Sequence, residues 1–322
     1  MQLTLPEPTG QYRIGLTKFE LYDEDRPEIE HPKGRLIPFQ IYFPTIIGTN
    51  SPQPKIFEPR APRTFSPLDV MGYSSPAHLS KLAPGQHPII FLNHGHDVAM
   101  TDYACIAEDL ASHGYIVFSI QHQLDTDKDP PEFWKERSIS KYANVIDNIL
   151  YVFEWLKQKQ ADLFNSKLYL SKIGLIGHSL GGNALQLFAN RAASSFKKKE
   201  RLTLLPHDTT NAEIKECIIV LDAGGVSYPS SNQFPFLFLL SGERESYQKE
   251  SAMYDDMIKI GHKVKYYPGS KHISFMDHGY VDPPNPVNAC EHYFNGTRAE
   301  IDVFWQTLPQ DIRDFLKQNG VT

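Results

Sequence analysis

Hydrophobic and polar residues alternate near the start of the chain and form longer apolar runs further on. Alternation over residues 12–21 predicts a strand with one buried face, and residues 35–43 predict a second strand. Pro38 lies within the second strand and cannot donate a hydrogen bond to a neighbour, so we expect an edge position or a bulge there. Together these segments predict an antiparallel entry to a sheet.

From residue 88 onward, short apolar runs alternate with segments of helical periodicity. This pattern is typical of a parallel sheet whose strands are joined by crossover helices. Strands are expected at residues 88–92, 115–120, 172–177, 217–221, 234–240 and 263–267. Helices are expected at residues 101–113, with Thr101 as the candidate N-cap, and at 140–158, 183–191, 246–260 and 297–318. The predicted fold class is α/β, with a mostly parallel central sheet, antiparallel N-terminal strands and helices on both faces.

Two segments depart from this pattern. Residues from about 44 to 87 are rich in proline, which disfavours long helices and central strands, and residues from about 192 to 214 are polar and irregular. We interpret the first segment as an excursion from the sheet and the second as an insertion outside it. The chain has no repeats and no convincing linker, so we expect a single domain over residues 1–322.

Composition and charge narrow the class of protein. The net charge of −6 disfavours a nucleic-acid partner, which would need a dominant basic face. Three widely spaced cysteines predict neither a disulfide framework nor a zinc site. The first residues lack the basic and apolar regions of a signal peptide, and no apolar run reaches transmembrane length. We expect a soluble, cytoplasmic protein by default, and leave open both its oligomeric state and export without a cleaved signal.

A Gly-His-Ser-Leu-Gly sequence at residues 177–181 lies between a predicted strand and a predicted helix. A sharp strand-to-helix turn of this kind exposes the serine hydroxyl at the carboxyl edge of a sheet, and its strained backbone needs small flanking residues. We therefore predict Ser179 as a nucleophile and the Leu180 N–H as a donor to an oxyanion. His178 should point away from the nucleophile and serve packing and hydrogen bonding.

A serine nucleophile needs a base, and the base needs an acid that orients it. After a turn of this type, the acid and then the histidine follow later strands of the sheet. Asp222 and His272 satisfy that order, and we predict them as acid and base. His278 is the alternative base, and Glu243 or Glu245 is the alternative acid.

The loop after residues 88–92 reads Asn-His-Gly-His-Asp. A loop in this position supplies the second oxyanion donor, and we predict the His96 N–H for that role. His94, His96 and Asp97 also suggest part of a metal site, but the sequence offers no matching downstream histidine pair. We therefore predict neither a metal nor another cofactor.

These motifs resemble those of the platelet-activating factor acetylhydrolase family, in its plasma-type (isoform II) branch and bacterial relatives, within the α/β-hydrolase superfamily. The resemblance covers most of the chain, apart from the proline-rich stretch, the insertion around residue 197 and the segment after residue 278. The matching segments are residues 8–10, 19–21, 25–28, 41–44, 94–95, 106–117, 177–182, 221–223 and 269–272.

The resemblance implies an α/β-hydrolase fold and a calcium-independent serine esterase that removes short or oxidised acyl groups, often from phospholipids. It implies a small ester or phospholipid substrate, with transient contact with a membrane surface. It also favours Asp222, because that family places its acid in a Leu-Asp-Ala context. The family often has an apolar residue and a glycine where this chain has His96 and Asp97. The alternatives are a general carboxylesterase or lipase without phospholipid preference, and a non-catalytic binding protein with this fold.

Overall fold

The computed structural model describes residues 3–26, 32–48, 51–55, 70–96, 98–122, 134–197, 215–224, 234–245, 248–281, 294 and 297–322. Its strands are β1 (Leu3–Thr4), β2 (Arg13–Asp23), β3 (Arg35–Thr45), β4 (Gln53–Lys55), β5 (Val70–Gly72), β6 (Ser74–Pro76), β7 (His87–Asn93), β8 (Ile116–Ile120), β9 (Leu168–His178), β10 (Lys215–Leu221), β11 (Phe236–Ser241) and β12 (Lys263–Tyr267). Nine of these strands form one sheet in the order β12-β11-β10-β9-β7-β8-β3-β2-β6.

The large sheet is mostly parallel, as predicted. Strand β3 runs antiparallel to both of its neighbours, β2 and β8, and the other neighbouring strands pair in parallel. Because parallel strands end at the same edge, the loops after β7, β9, β10, β11 and β12 meet there. The predicted α/β fold with an antiparallel N-terminal pair is confirmed.

The expectation for Pro38 was wrong, because β3 is an interior strand with a regular register to β2. The Pro38 carbonyl accepts the Gln121 N–H at 2.8 Å, so the backbone of Pro38 faces the β8 side. Strand β8 ends at Ile120, which pairs with Phe39. Pro38 therefore lies opposite the chain just after the end of β8. The absence of its N–H removes no hydrogen bond between β3 and β8.

Alternate residues of the central strands face two separate hydrophobic layers. In β7, for example, Ile89 and Phe91 lie in one layer, whereas Ile90 and Leu92 lie in the other. The helices are α1 (Ala104–Ser112), α2 (Trp134–Phe164), α3 (Leu180–Lys197), α4 (Gly242–Glu245), α5 (Gln248–Lys259), α6 (Asp277–Val281) and α7 (Arg298–Gln318). Helices α2, α3 and α5 cover the first layer, and α1 and α7 cover the second.

Two helix ends differ from the sequence predictions. Thr101 is not the N-cap of α1, because it lies within a 3₁₀ turn, Met100–Tyr103, that precedes the helix. The Asp277 carboxylate caps α1 instead, accepting the N–H groups of Ala104 and Cys105 at 2.7 and 2.9 Å. Helix α3 continues to Lys197, so the first residues predicted as an insertion are helical, and residues 198–214 lie outside the described residues.

The proline-rich stretch contributes short edge elements. Strand β6 pairs with β2 at the edge of the large sheet, and β1, β5 and β4 form a separate three-stranded sheet. Residues 56–69 lie outside the described part of the chain. Among the described helices, none combines the length and apolar character needed to cross a membrane. The extent of the domain stays a prediction.

Candidate active site

Ser179 occupies the sharp turn between β9 and α3. Its φ angle is 49°, in the left-handed region that non-glycine residues seldom adopt. The surrounding backbone is tightly packed, since a Cβ on Gly177 would lie 2.5 Å from the carbonyl carbon of Gly181. A Cβ on Gly181 would lie 2.5 Å from the Asn93 carbonyl oxygen. The glycines of the motif are therefore required by close approach of the backbone, as the sequence indicated.

His272 contacts both Ser179 and Asp222. Its Nε2 lies 3.0 Å from Ser179 Oγ, and its Nδ1 lies 2.6 Å from Asp222 Oδ2. Because the carboxylate accepts the Nδ1–H, the Nε2 lone pair faces the serine hydroxyl and can accept its proton. The His272 side chain is 37% exposed, so a substrate can reach it from solvent. The structure thus brings together the three side chains selected by strand order.

Asp222 is completely buried at the end of β10. Its Oδ1 accepts the Ser241 N–H and the Arg244 Nε–H, each at 2.7 Å. Burial alone would raise the pKa of Asp222, but the hydrogen bond to His272 and the positive charge of Arg244 outweigh burial and lower the pKa to about 2. Asp222 is therefore an ionised hydrogen-bond acceptor over the pH range in which most enzymes work.

Among the alternative acids and base, Glu243 has a described side chain. Glu243 Oε1 accepts the backbone N–H of His272 at 2.8 Å and so holds the loop rather than the ring. The side chains of Glu245 and His278 lie outside the described residues, although the backbone of His278 belongs to α6. Of the candidate acids that the structure describes, Asp222 is the one bonded to the imidazole.

The His178 side chain is buried and forms hydrogen bonds to groups other than Ser179. Its Nδ1 lies 2.8 Å from the Tyr103 hydroxyl, and its Nε2 lies 3.0 Å from the backbone oxygen of His272. Burial, and then the neighbouring His272, lower the pKa of His178 to about 3. His178 is therefore a neutral side chain that serves structure rather than proton transfer.

The loop after β7 lies against the nucleophile. A Cβ on Gly95 would be 3.2 Å from Ser179 Cβ, and the Gly95 carbonyl lies 2.6 Å from His94 Nδ1. The N–H and C=O of a trans peptide point to opposite sides, so the His96 N–H is directed away from the buried His94 ring. Leu180 begins α3, where the first N–H groups have no acceptor within the helix. These two N–H groups stay our prediction for the oxyanion donors.

The described residues contain no cluster of histidine, cysteine or acidic side chains suited to a metal ion. His94 bonds instead to the Gly95 carbonyl and, through Nε2, to the His122 N–H at 2.8 Å. Burial lowers the pKa of His94, which favours its neutral form in this network. Asp97, the third residue of the metal interpretation, lies outside the described residues.

Three residues of the site were not found from sequence. Arg244 binds Asp222, Tyr103 binds His178, and Asp277 ties the loop after His272 to α1. Each acts on a residue far away in the chain, and none belongs to a motif. The position of Arg244 four residues after a predicted strand was the one signal that could have indicated it.

Comparisons with known proteins agree with this fold. The model of the chlorophyllase family matches residues 74–228, slightly less than half of the chain. No curated protein matches the sequence significantly. A ferulic acid esterase from Streptomyces cinnamoneus superposes with a TM-score of 0.71 at 16% identity, covering 99% of this chain and 93% of the esterase. A thermostable esterase from Pseudomonas putida has a TM-score of 0.50 at 10% identity, covering 96% of this chain and 85% of the other. At these identities the likeness shows the fold, which is the α/β-hydrolase fold.

Proposed function

We propose that this chain is a serine esterase that hydrolyses small carboxylic esters through an acyl-enzyme on Ser179. The observation that carries the proposal is the continuous hydrogen-bond chain from Ser179 Oγ through His272 to Asp222, with distances of 3.0 and 2.6 Å. The match to the chlorophyllase model and the fold shared with known esterases support ester bonds as the target.

The reaction begins when His272 Nε2 accepts the proton of Ser179 Oγ as the oxygen attacks the ester carbonyl. Asp222 stabilises the imidazolium that forms and keeps its ring in the required tautomer. The N–H groups of His96 and Leu180 donate to the oxyanion of the tetrahedral intermediate. When the intermediate collapses, the bond to the alcohol breaks and His272 returns the proton to the alcohol oxygen.

The acyl-enzyme is then hydrolysed by the same groups. His272 accepts a proton from a water molecule as the water oxygen attacks the acyl carbonyl on Ser179. Collapse of the second intermediate releases the carboxylic acid and returns the proton to Ser179 Oγ. Apart from the ester and the water molecule, each group in these steps is a side chain or a backbone donor of this chain.

For the acyl group, we propose short chains, including the acetyl or oxidised acyl groups of phospholipids. The support is the resemblance of the sequence motifs of this chain to those of platelet-activating factor acetylhydrolases. A broad carboxylesterase or lipase without phospholipid preference is the alternative within the same chemistry. The solved esterases of similar fold support this alternative as much as they support the phospholipid esterase. A non-catalytic binding protein is the alternative from another class, and the intact proton-transfer chain argues against it.

A substrate panel separates these possibilities. p-Nitrophenyl esters from acetate to palmitate measure chain-length preference. A 1-alkyl-2-acetyl phospholipid tests a phospholipid as the alcohol part of the ester, and a feruloyl ester tests an aromatic acyl group. We expect acetate and butyrate to be cleaved fastest. Preference for palmitate would favour a lipase, and equal cleavage of soluble and phospholipid acetates would favour a general carboxylesterase. Absence of turnover with every ester would favour the binding protein.

A further inference from the structure

A chain of hydrogen bonds, all with the same donor-to-acceptor direction, joins the loop after β7 to the backbone of His272. The Gly95 N–H donates to the Tyr103 hydroxyl oxygen at 3.0 Å, and that oxygen lies 2.8 Å from His178 Nδ1. His178 Nε2 then lies 3.0 Å from the backbone oxygen of His272. Tyr103 and His178 are buried, so water does not compete for these bonds.

The partners fix the tautomer of His178. The Tyr103 oxygen accepts from Gly95, so its single proton is available for His178 Nδ1. A carbonyl can only accept, so the other ring nitrogen of His178 must carry the N–H that bonds to His272. Every donor in the chain has one acceptor, and the arrangement requires a neutral imidazole.

The neighbouring ring gives a reason for neutrality. The His178 and His272 rings lie 4.6 Å apart between centroids, with an angle of 32° between their planes. His272 becomes positively charged during the proposed reaction, and a second imidazolium at this distance would oppose that charge. Burial, and then His272 itself, hold the pKa of His178 near 3, so His178 stays uncharged throughout.

We propose that Tyr103 and His178 form a positioning relay. Through Gly95, the relay sets the position of the loop after β7 (residues 94–96, the oxyanion loop) relative to the base His272. This inference rests on the proposed function and extends it, because the two residues take no part in the proposed proton transfers. One end of the relay fixes the peptide before Gly95, and the other fixes the carbonyl of His272. Glu243 holds the N–H of the same residue at 2.8 Å, so the backbone of the base is held at both of its polar groups.

The test uses variants that break the relay at different bonds. Tyr103→Phe removes the hydroxyl from both of its bonds. In His178→Gln the amide nitrogen can reach the Nε2 position and keep the bond to His272, whereas His178→Asn can keep only the bond to Tyr103. Tyr151→Phe is the matched control, because its hydroxyl donates to the Tyr22 carbonyl at 2.7 Å on a distant part of the fold.

We expect Tyr103→Phe to lower kcat for p-nitrophenyl acetate by about 10- to 100-fold, with KM within about threefold of the wild type. Tyr151→Phe should keep kcat within about twofold. His178→Gln should retain more activity than His178→Asn. The double variant Tyr103→Phe/His178→Gln should lose no more than the worse single variant, because both changes break one chain. Additive losses, or equal kcat for Tyr103→Phe and Tyr151→Phe, would overturn the relay.

A second measurement does not depend on turnover. Nitrogen-15 NMR of the wild type should show His178 as the neutral tautomer protonated on Nε2, unchanged between pH 5 and 9. A His178 that titrates in this range, or that carries its proton on Nδ1, contradicts the relay. If the wild type neither cleaves esters nor reacts with a fluorophosphonate probe, the proposed function fails, and NMR still decides whether the relay exists.

Discussion

Glu243 binds the backbone of His272, whereas Asp222 binds its ring: the distances are 2.8 Å from Glu243 Oε1 to His272 N and 2.6 Å from Asp222 Oδ2 to His272 Nδ1. Both acids follow neighbouring strands, β10 and β11, so either could have been the partner of the imidazole on strand order alone. Their different contacts predict different effects on catalysis.

Asp222→Asn should lower kcat by about 10³- to 10⁴-fold, because the amide can no longer fix the tautomer of His272 or stabilise its positive charge. Glu243→Gln keeps an oxygen that accepts the His272 N–H, so its kcat should stay within about tenfold of the wild type. Steady-state kinetics on both variants decide between the acids. Activity that survives Asp222→Asn but is lost in Glu243→Gln would reverse the assignment.

Arg244 should act through Asp222. Arg244→Met removes the guanidinium that bonds to Oδ1 at 2.7 Å and helps to keep the pKa of Asp222 low. That pKa should rise, so the acid limb of the kcat/KM profile should move to higher pH. The free energy of unfolding should fall by about 1–3 kcal/mol, because a buried carboxylate loses one of its hydrogen-bond partners while Ser241 and His272 remain.

Arg244→Lys, which keeps the charge, is the matched variant for this prediction and should show a smaller shift of the acid limb. If the pH profile of Arg244→Met coincides with that of the wild type, Arg244 does not act through Asp222.

Gly95→Ala tests the contact between the oxyanion loop and the nucleophile. The added methyl would lie 2.9 Å from His178 Nδ1 and 3.2 Å from Ser179 Cβ, so at least one of these groups must move. A displacement of about 1 Å at a catalytic group lowers kcat by about 10²-fold. The loss should appear in kcat with both p-nitrophenyl acetate and p-nitrophenyl butyrate.

Gly261→Ala is the control for this substitution. Nothing lies within 4 Å of its added Cβ, but its φ of 95° disfavours alanine. It should lower the free energy of unfolding by about 1 kcal/mol and leave kcat unchanged. A Gly95→Ala variant with wild-type kcat would contradict the close packing of this loop.

Glu216 should make stability depend on pH. Burial raises the pKa of Glu216 from 4.5 to about 7, and its Oε1 has no hydrogen-bond partner among the described residues. The unfolded chain loses this proton at lower pH than the folded protein. The protonated Glu216 carboxyl therefore contributes fully to the stability of the folded protein below about pH 4.5, and this contribution disappears as the pH rises through about 7. The stability of Glu216→Gln relative to the wild type should therefore increase by roughly 2–3 kcal/mol between pH 5 and pH 8.

Denaturant unfolding at several pH values measures this difference. Glu20→Gln, on the exposed face of β2, is the control and should change stability by less than about 0.5 kcal/mol at any pH. A constant difference between Glu216→Gln and the wild type would show that Glu216 ionises normally in the folded protein.

Much of the candidate site could be predicted because a parallel sheet gathers the carboxyl ends of its strands. Ser179 follows β9, Asp222 follows β10, and His272 follows β12, so their shared edge was implied by the alternation of strands and helices. The need for a small residue at Gly177 was local, since it arises from the close approach of Gly181 within the same turn, whereas Gly181 is also required by the Asn93 carbonyl of β7.

The supporting contacts could not be predicted because they join distant segments. Tyr103 and His178 are 75 residues apart, and Asp277 caps α1 from 173 residues along the chain. Thr101 had a residue type suited to a cap, but the packing of α6 supplied the cap from outside. The expectation for Pro38 was wrong for a similar reason. The residue at which β8 ends, rather than the sequence of β3, determined where β3 needs a backbone N–H.

The most direct test of the central claim is covalent labelling of Ser179. The wild type and Ser179→Ala are incubated with a fluorophosphonate probe and, separately, assayed with p-nitrophenyl acetate. The account predicts that the wild type gains one phosphonyl group, found by mass spectrometry on Ser179, and loses its esterase activity in parallel. Ser179→Ala should take no label and should hydrolyse the ester more than 10³-fold more slowly. Equal ester hydrolysis by the two proteins, or labelling at another residue, would contradict the account.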